Sequence, residues 1–327
     1  MSKNKLKIAF YWAASCGGCE IAVLDINEKI LDVIQIADIV FWPVAMDIKY
    51  KDVENMPDKY IDVCFFNGGI RNSEQEHVAK LLREKSKILI AYGACAQLGG
   101  VPGLANIADK KEVFEKVYFT TFSTANPDKT APKTEVHVKE GEVDIPEFYN
   151  TVKTLDQVVD VDYYVPGCPP AVERTLFALD AIAKGELPQK GSVLAPLKSV
   201  CDECPRKKEN KKISKIYRVY EKAPEPERCL LEQGIICMGP ATRGGCGARC
   251  LNADMPCTGC GGPCPNSPEQ GAAMISALAS ILGLEDEKEK YSEEDVEKLM
   301  SQVKDPIGTF YMYALAGSIL RRKVMKE

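Results

Sequence analysis

Histidine is almost missing from this 327-residue chain. His77 and His137 are the two copies, neither has ligand-like neighbours in sequence, and neither is expected to hold a metal. No stretch approaches 18 uninterrupted apolar residues, which excludes a membrane-spanning helix. The first seven residues run straight into a strand-like segment, with neither an apolar signal core nor a twin-arginine leader, so a cytoplasmic protein is expected. An excess of charge of one sign is lacking too. The net charge is -5 with acids and bases interspersed, which excludes the basic footprint of a nucleic-acid binder. There is no internal repeat beyond the cysteine spacings and no low-complexity segment.

Cysteine is what the chain has in excess, with 14 copies. Cysteine-rich secreted scaffolds are small and loop-rich, whereas this chain is long and 45% apolar, so a disulfide framework is a poor account and metal or cluster ligation is favoured. Five cysteines lie in the first 200 residues and nine, Cys201 to Cys264, fall within the next 64. Two modules are implied, in keeping with domains of about 100–200 residues.

Short β-branched or aromatic runs at 6–12, 37–42, 61–66, 87–92 and 162–165 predict strands. Apolar residues at helical spacing predict helices over 18–31, 73–85 and 170–184, with Ser73 and Pro170 as start signals. This alternation predicts an α/β domain over 1–187, a doubly wound parallel sheet, with 134–139 as an extra edge hairpin. From Pro188 to Pro226 the composition turns to Pro, Lys and Glu, marking a linker or open loop into a cysteine-rich module over 188–265. Helices close the chain over 266–327: one at 267–284, one opened by a capping box at Ser292, and one at 306–323.

In an open parallel sheet, ligands collect outside the carboxyl ends of the strands. Cys16 and Cys19 follow the first strand, Cys95 the fourth and Cys168 the fifth, so four thiolates separated by up to 152 positions converge at one edge. Four thiolates suit a 4Fe-4S cluster, and the glycines beside them let backbone approach a bulky group. Cys64 lies mid-strand and reads as a core thiol. A thioredoxin-like pair at Cys16 and Cys19 leaves Cys95 and Cys168 unexplained. Downstream, Cys201, Cys204, Cys229 and Cys237 supply a second set; Cys246, Cys250, Cys257 and Cys260 supply a third, with Cys264 taken as spare. A zinc ribbon fits either set alone but does not account for twelve ligands in three sets.

Together, the Cys-Gly-Gly-Cys-Glu run at 16–20, Gly-Ala-Cys at 93–95, Pro-Gly-Cys-Pro-Pro at 166–170 and Pro-Cys-Thr-Gly-Cys-Gly-Gly-Pro at 256–263 resemble the small subunits of nickel-iron hydrogenases over residues 6 to 265. The resemblance implies a flavodoxin-like domain with a proximal cluster on Cys16, Cys19, Cys95 and Cys168. It implies a medial cluster on Cys246, Cys250, Cys257 and Cys260 and a distal one on Cys201, Cys204, Cys229 and Cys237. Periplasmic members open the distal set with histidine and have proline where Cys250 falls; here Cys201 and Cys250 make all three clusters 4Fe-4S. Within the family the chain most resembles the methanogen members associated with heterodisulfide reductase. That implies a nickel-iron site in a separate large subunit, an oxidoreductase role in electron transfer with no catalytic residue in this chain, and exit through an iron-sulfur adaptor (delta) subunit to heterodisulfide reductase. A deazaflavin-coenzyme-reducing hydrogenase, a sulfhydrogenase and, from another class, a zinc-binding structural protein are the alternatives.

Glu20 fits the favourable first turn of a helix ahead of a part in proton movement or large-subunit contact. The basic run from Arg206 to Lys212 reads as a solvated loop ahead of a dock for an acidic redox partner.

Overall fold

The computed structural model describes residues 5–282 and 292–322. Its strands are β1 (Leu6–Trp12), β2 (Ala37–Phe41), β3 (Ile61–Asn67), β4 (Ile70–Asn72), β5 (Ser86–Tyr92), β6 (Glu135–Val138), β7 (Gly141–Asp144), β8 (Phe148–Lys153), β9 (Tyr163–Val165) and β10 (Ser192–Val193). Six of them form one sheet in the order β10-β9-β5-β3-β1-β2, with every pairing parallel. The order reverses between β1 and β3, the arrangement of flavodoxin-like doubly wound sheets, and such a reversal opens a crevice at the carboxyl ends of the strands.

Central parallel strands are covered on both faces, which is why β3 is a nearly unbroken apolar run. Alternate side chains feed two cores: Phe66 joins Tyr11, Leu89 and Leu82 on one side, and Phe65 joins Phe10, Tyr92 and Ile182 on the other. A third core, around Leu230, Met238, Leu251, Met274, Leu278 and Phe310, sits under the later cysteines.

The five expected strands stand within two residues of their expected ends. Several other expectations are corrected. The helix expected over 18–31 is two helices, Gly18–Leu24 and Ile30–Ile36, broken near Asn27, whose φ of 54° is left-handed. Helix Ser73–Lys85 is capped by Asn72 rather than Ser73: the Asn72 side chain accepts from the Gln75 N–H and Gln75 Oε1 accepts from the Asn72 N–H. The hairpin expected at 134–139 is β6-β7, a separate two-stranded sheet whose residues are all exposed, not an edge of the main sheet. The helix expected at 170–184 begins at Val172.

Near the C-terminus the helices are shorter than expected. The helix at 267–284 is Gln270–Ile281, with 283–284 outside the described residues. The one following Ser292 is Glu293–Met300, and the charged connection before it, 285–291, is outside them too. The helix expected over 306–323 is Pro306–Phe310 followed by turns, with 323 again outside. Its backbone is claimed elsewhere: the Tyr313 carbonyl accepts from the Gly100 N–H at 3.0 Å and the Gly317 N–H donates to the Leu98 carbonyl at 3.0 Å. Among the described residues no helix is long and apolar enough to cross a membrane.

Candidate metal centres

Three turns at the carboxyl edge of the sheet bring the first four cysteines together. After β1, Gly17 takes a φ of 84° and packs on the Trp12 ring, so the chain reverses and Cys16 and Cys19 flank the start of helix Gly18–Leu24. After β5, Gly93 takes a φ of 89°, and a Cβ there would stand 2.4 Å from Cys19 Sγ; a Cβ on Gly100 would stand equally close to Cys95 Sγ. The turn after β9 is strapped to this one by Gly93 N–H to the Val165 carbonyl (2.8 Å) and Ala94 N–H to the Gly167 carbonyl (2.7 Å), which sets Cys168 opposite Cys95. Glycine is needed here because both the backbone angle and the space exclude a side chain.

Burial pushes the Cys95 thiol up to about 12 and the Cys168 thiol up to about 11, and the charges of neighbouring cysteines add to the shift. Cys19 is raised too, first by burial and then by Cys95, Cys168 and Cys16. Three thiols held protonated by burial and by their neighbours, gathered with Cys16, are a donor set suited to a cationic centre that binds them as thiolates.

Glu20, the residue after Cys19, is buried rather than solvated. Its carboxylate accepts from Trp42 Nε1 and Asn67 Nδ2, at the ends of β2 and β3, and burial raises its pKa against those two bonds. The side chain therefore ties the Cys19 helix to the sheet.

The second set forms around a short turn, Val200–Glu203. Cys201 feels Cys237, Cys229 and Cys204, and burial with that repulsion pushes it up to about 12. A Cβ on Gly239 would stand 3.2 Å from Cys201 Sγ and 3.5 Å from Cys237 Sγ, so a glycine again leaves room beside the sulfurs. Cys201 and Cys229 open into a cleft of about 540 Å³ that Lys208, Lys211 and Lys212 also line.

In the third set, Cys260 feels Cys246 and Cys250, and Cys257 feels both Cys260 and Cys237. Glu203, from the second set's turn, accepts from the Gly245 and Gly247 N–H groups at 2.7 and 3.0 Å and fixes the Cys246 turn. Neighbouring sets meet at two places: the Cys168 backbone lies against Cys260 and favours its thiolate, and the Cys257 N–H donates to Cys237 Sγ at 3.3 Å.

Outside the sets, Cys264 lies beside Arg243 and Asp202, with its thiol on the Pro240 carbonyl. Cys64 is fully buried in β3. His77 faces Glu54 at the surface, and His137 sits on the exposed hairpin. Among the described residues no three Cys, His, Asp or Glu side chains close on a point as a single metal ion requires. Sequence reasoning missed Arg174, buried between the first and third sets, and the Trp42 and Asn67 anchors of Glu20. A cation in the first turn of a helix, against the dipole, was the available signal for Arg174.

The family model for the NADH ubiquinone oxidoreductase 20 Kd subunit matches residues 16–182, a stretch that ends before the second and third sets. The iron-sulfur subunit of the F420-non-reducing hydrogenase of Archaeoglobus profundus is 41% identical and covers 98% of this chain and 99% of its own. The corresponding F420-non-reducing hydrogenase chain of Methanothermobacter marburgensis is 40% identical over 99% of both. More distant is the sulfhydrogenase 2 subunit delta of Pyrococcus furiosus, 29% identical over 85% of this chain and 94% of its own. The chain belongs to the NADH ubiquinone oxidoreductase 20 Kd subunit family and is, within it, a hydrogenase small subunit of the F420-non-reducing type.

Proposed function

We propose that this subunit holds three 4Fe-4S clusters and conducts electrons from hydrogen oxidation in a nickel-iron large subunit to an iron-sulfur adaptor (delta) subunit and heterodisulfide reductase, in the cytoplasm of a methanogen. The proximal cluster belongs to Cys16, Cys19, Cys95 and Cys168, the medial to Cys246, Cys250, Cys257 and Cys260, and the distal to Cys201, Cys204, Cys229 and Cys237. Bound there, each cluster would supply one-electron carriage. The corresponding units are 1–187, 188–265 and 266–327. One observation carries the reading: each set touches the next through a ligand residue, Cys168 to Cys260 and Cys257 to Cys237.

The ends of this path differ as its direction requires. Around exposed Cys16 stand the exposed apolar side chains of Trp12, Ile21 and Leu24, a surface suited to burial under a large partner. At the other end Cys201 opens into the lysine-lined cleft, which suits an acidic acceptor.

The test is an iron, sulfide, nickel and zinc determination on the anaerobically purified complex, with its subunits separated. About twelve irons in this chain and nickel in a co-purifying large subunit are expected. Zinc with little iron, and no large subunit, would sink the cluster reading. Absence of the adaptor and of heterodisulfide reductase from the complex would remove the proposed acceptors and leave the clusters in place.

A further inference from the structure

We propose that Arg174 is a permanent positive charge built between the proximal and medial sets, and that it raises the reduction potential of the medial cluster. The inference rests on the cluster reading above. Arg174 is 2% exposed and is the largest of the fully buried side chains by volume. Its place in the first turn of helix Val172–Lys184 is one where the dipole disfavours a cation, and burying an unpaired charge costs more still. A side chain held against both costs has its countercharge close by.

Among the described residues no carboxylate is hydrogen-bonded to the guanidinium, although its charge helps to hold the neighbouring Glu173 ionised. Nη1 donates to the Pro166 carbonyl at 3.0 Å, and Nη2 donates to the Arg243 and Gly244 carbonyls at 2.8 and 2.7 Å. Carbonyl dipoles orient the guanidinium without neutralising it. The buried Nε has no hydrogen-bond partner among the described residues. Glu173, next in sequence, turns instead to Arg249 at 2.9 Å. What the guanidinium faces beyond these is the medial set, since the residues it packs on, Gly245 and Gly261, are the chain neighbours of Cys246 and Cys260. Contact is close on both flanks of the medial set, since a Cβ on Gly261 would stand 3.0 Å from Nη2 and one on Gly245 3.2 Å from Nε. The same guanidinium reaches back to Pro166, two residues before Cys168, so it sits where an electron passes from the first set to the third.

A fixed cation lowers the energy of the more negative, reduced state of a neighbouring centre and so raises its potential. The step it favours moves one electron, supplied by hydrogen oxidation, from the proximal to the medial cluster; no bond forms or breaks. Arg174, packed more closely on the medial set, thus biases the first transfer inside the subunit toward it and, through Pro166, Arg243 and Gly244, fixes the two sets against each other.

The experiment is an EPR-monitored redox titration of the whole hydrogenase complex carrying wild-type chain, Arg174→Gln or Arg174→Lys, with iron determined in each. If the wild type shows no cubane signals, the cluster reading fails whatever Arg174 does. Given those signals, Arg174→Gln with full iron is expected to move one midpoint to lower potential by about tenfold in the oxidised-to-reduced ratio, 59 mV for one electron. Arg174→Lys, which keeps the charge, is expected to hold the wild-type midpoint, and it decides alone if Arg174→Gln does not assemble. Unchanged midpoints in a fully loaded Arg174→Gln complex overturn the proposal, as does a shifted midpoint in Arg174→Lys. Loss of iron in both variants also overturns it, because the carbonyl contacts rather than the charge would then be what the site requires.

Discussion

A methyl group at Gly93 has nowhere to go: the backbone is left-handed at φ 89° and the new carbon would stand 2.4 Å from Cys19 Sγ. That backbone conformation, with ψ at 163°, is essentially confined to glycine and costs about 1–3 kcal/mol for a residue with a side chain, and the collision displaces the Cys19 sulfur. Gly93→Ala is therefore expected to empty the proximal site and spare the other two, lowering the iron content by about four of twelve atoms per chain, as iron analysis of the complex would read. Glu20 offers a second test. Trp42→Phe removes one donor from a buried carboxylate, and the loss is expected to be about 1–3 kcal/mol in thermal or denaturant unfolding. The Gly and Pro turns that gather Cys16, Cys19, Cys95 and Cys168 were legible in the sequence because such turns announce themselves by composition. Arg174 was not, since its meaning comes from three carbonyls, one of them eight and two of them about seventy positions away.

Elements are positioned by interactions of the same kind at longer range. Asp162, just before β9, accepts from the Leu89 N–H at 2.8 Å and pairs with Arg83 and Lys190, each at 2.6 Å, so it pins β9 to β5 and to the end of helix Ser73–Lys85. Burial opposes its charge, yet Lys190, Arg83 and the Leu89 amide outweigh burial and hold its pKa below the ordinary carboxylate value. A depressed pKa gives stability that is present above the unfolded-state value near 4 and is lost as pH falls through the folded value. Asp162→Asn is expected to cost about 1–2 kcal/mol at neutral pH by removing the charge that Arg83 and Lys190 pair with, Arg83 keeping its bonds to the Asp160, Ser86 and Lys87 carbonyls, and to flatten that acid limb in unfolding curves measured from about pH 7 down to about pH 3. Where the hydrophobic period was strong, as over Ser73–Lys85, the helix bounds were legible to the residue, although the cap is Asn72. β10 has two residues, too few for any period, and the turns after Phe310 follow from bonds to Leu98 and Gly100, about two hundred positions upstream.

At the scale of the whole molecule, the two ends of the cysteine path carry opposite surfaces, and the basic one is the more readily tested. Lys207 to Lys212 are exposed, as a solvated loop requires, and Lys208, which bears on Cys201 electrostatically, lines the cleft over that thiol with Lys211 and Lys212. Arg206 itself is turned inward, bonding the Glu225 and Arg228 carbonyls and Asp254, which holds the loop that presents the lysines. Charges at such a rim steer encounter and fade with salt, whereas a small dye meets no comparable field. The double substitution Lys208→Glu with Lys211→Glu is expected to slow hydrogen-dependent reduction of the physiological acceptor about tenfold at low ionic strength, with the gap closing as salt is added. Reduction of a small dye by the same complex should be unchanged. Equal slowing of dye and acceptor would place the defect inside the wire, at the distal set, while no slowing of either would mean that electrons leave by another face.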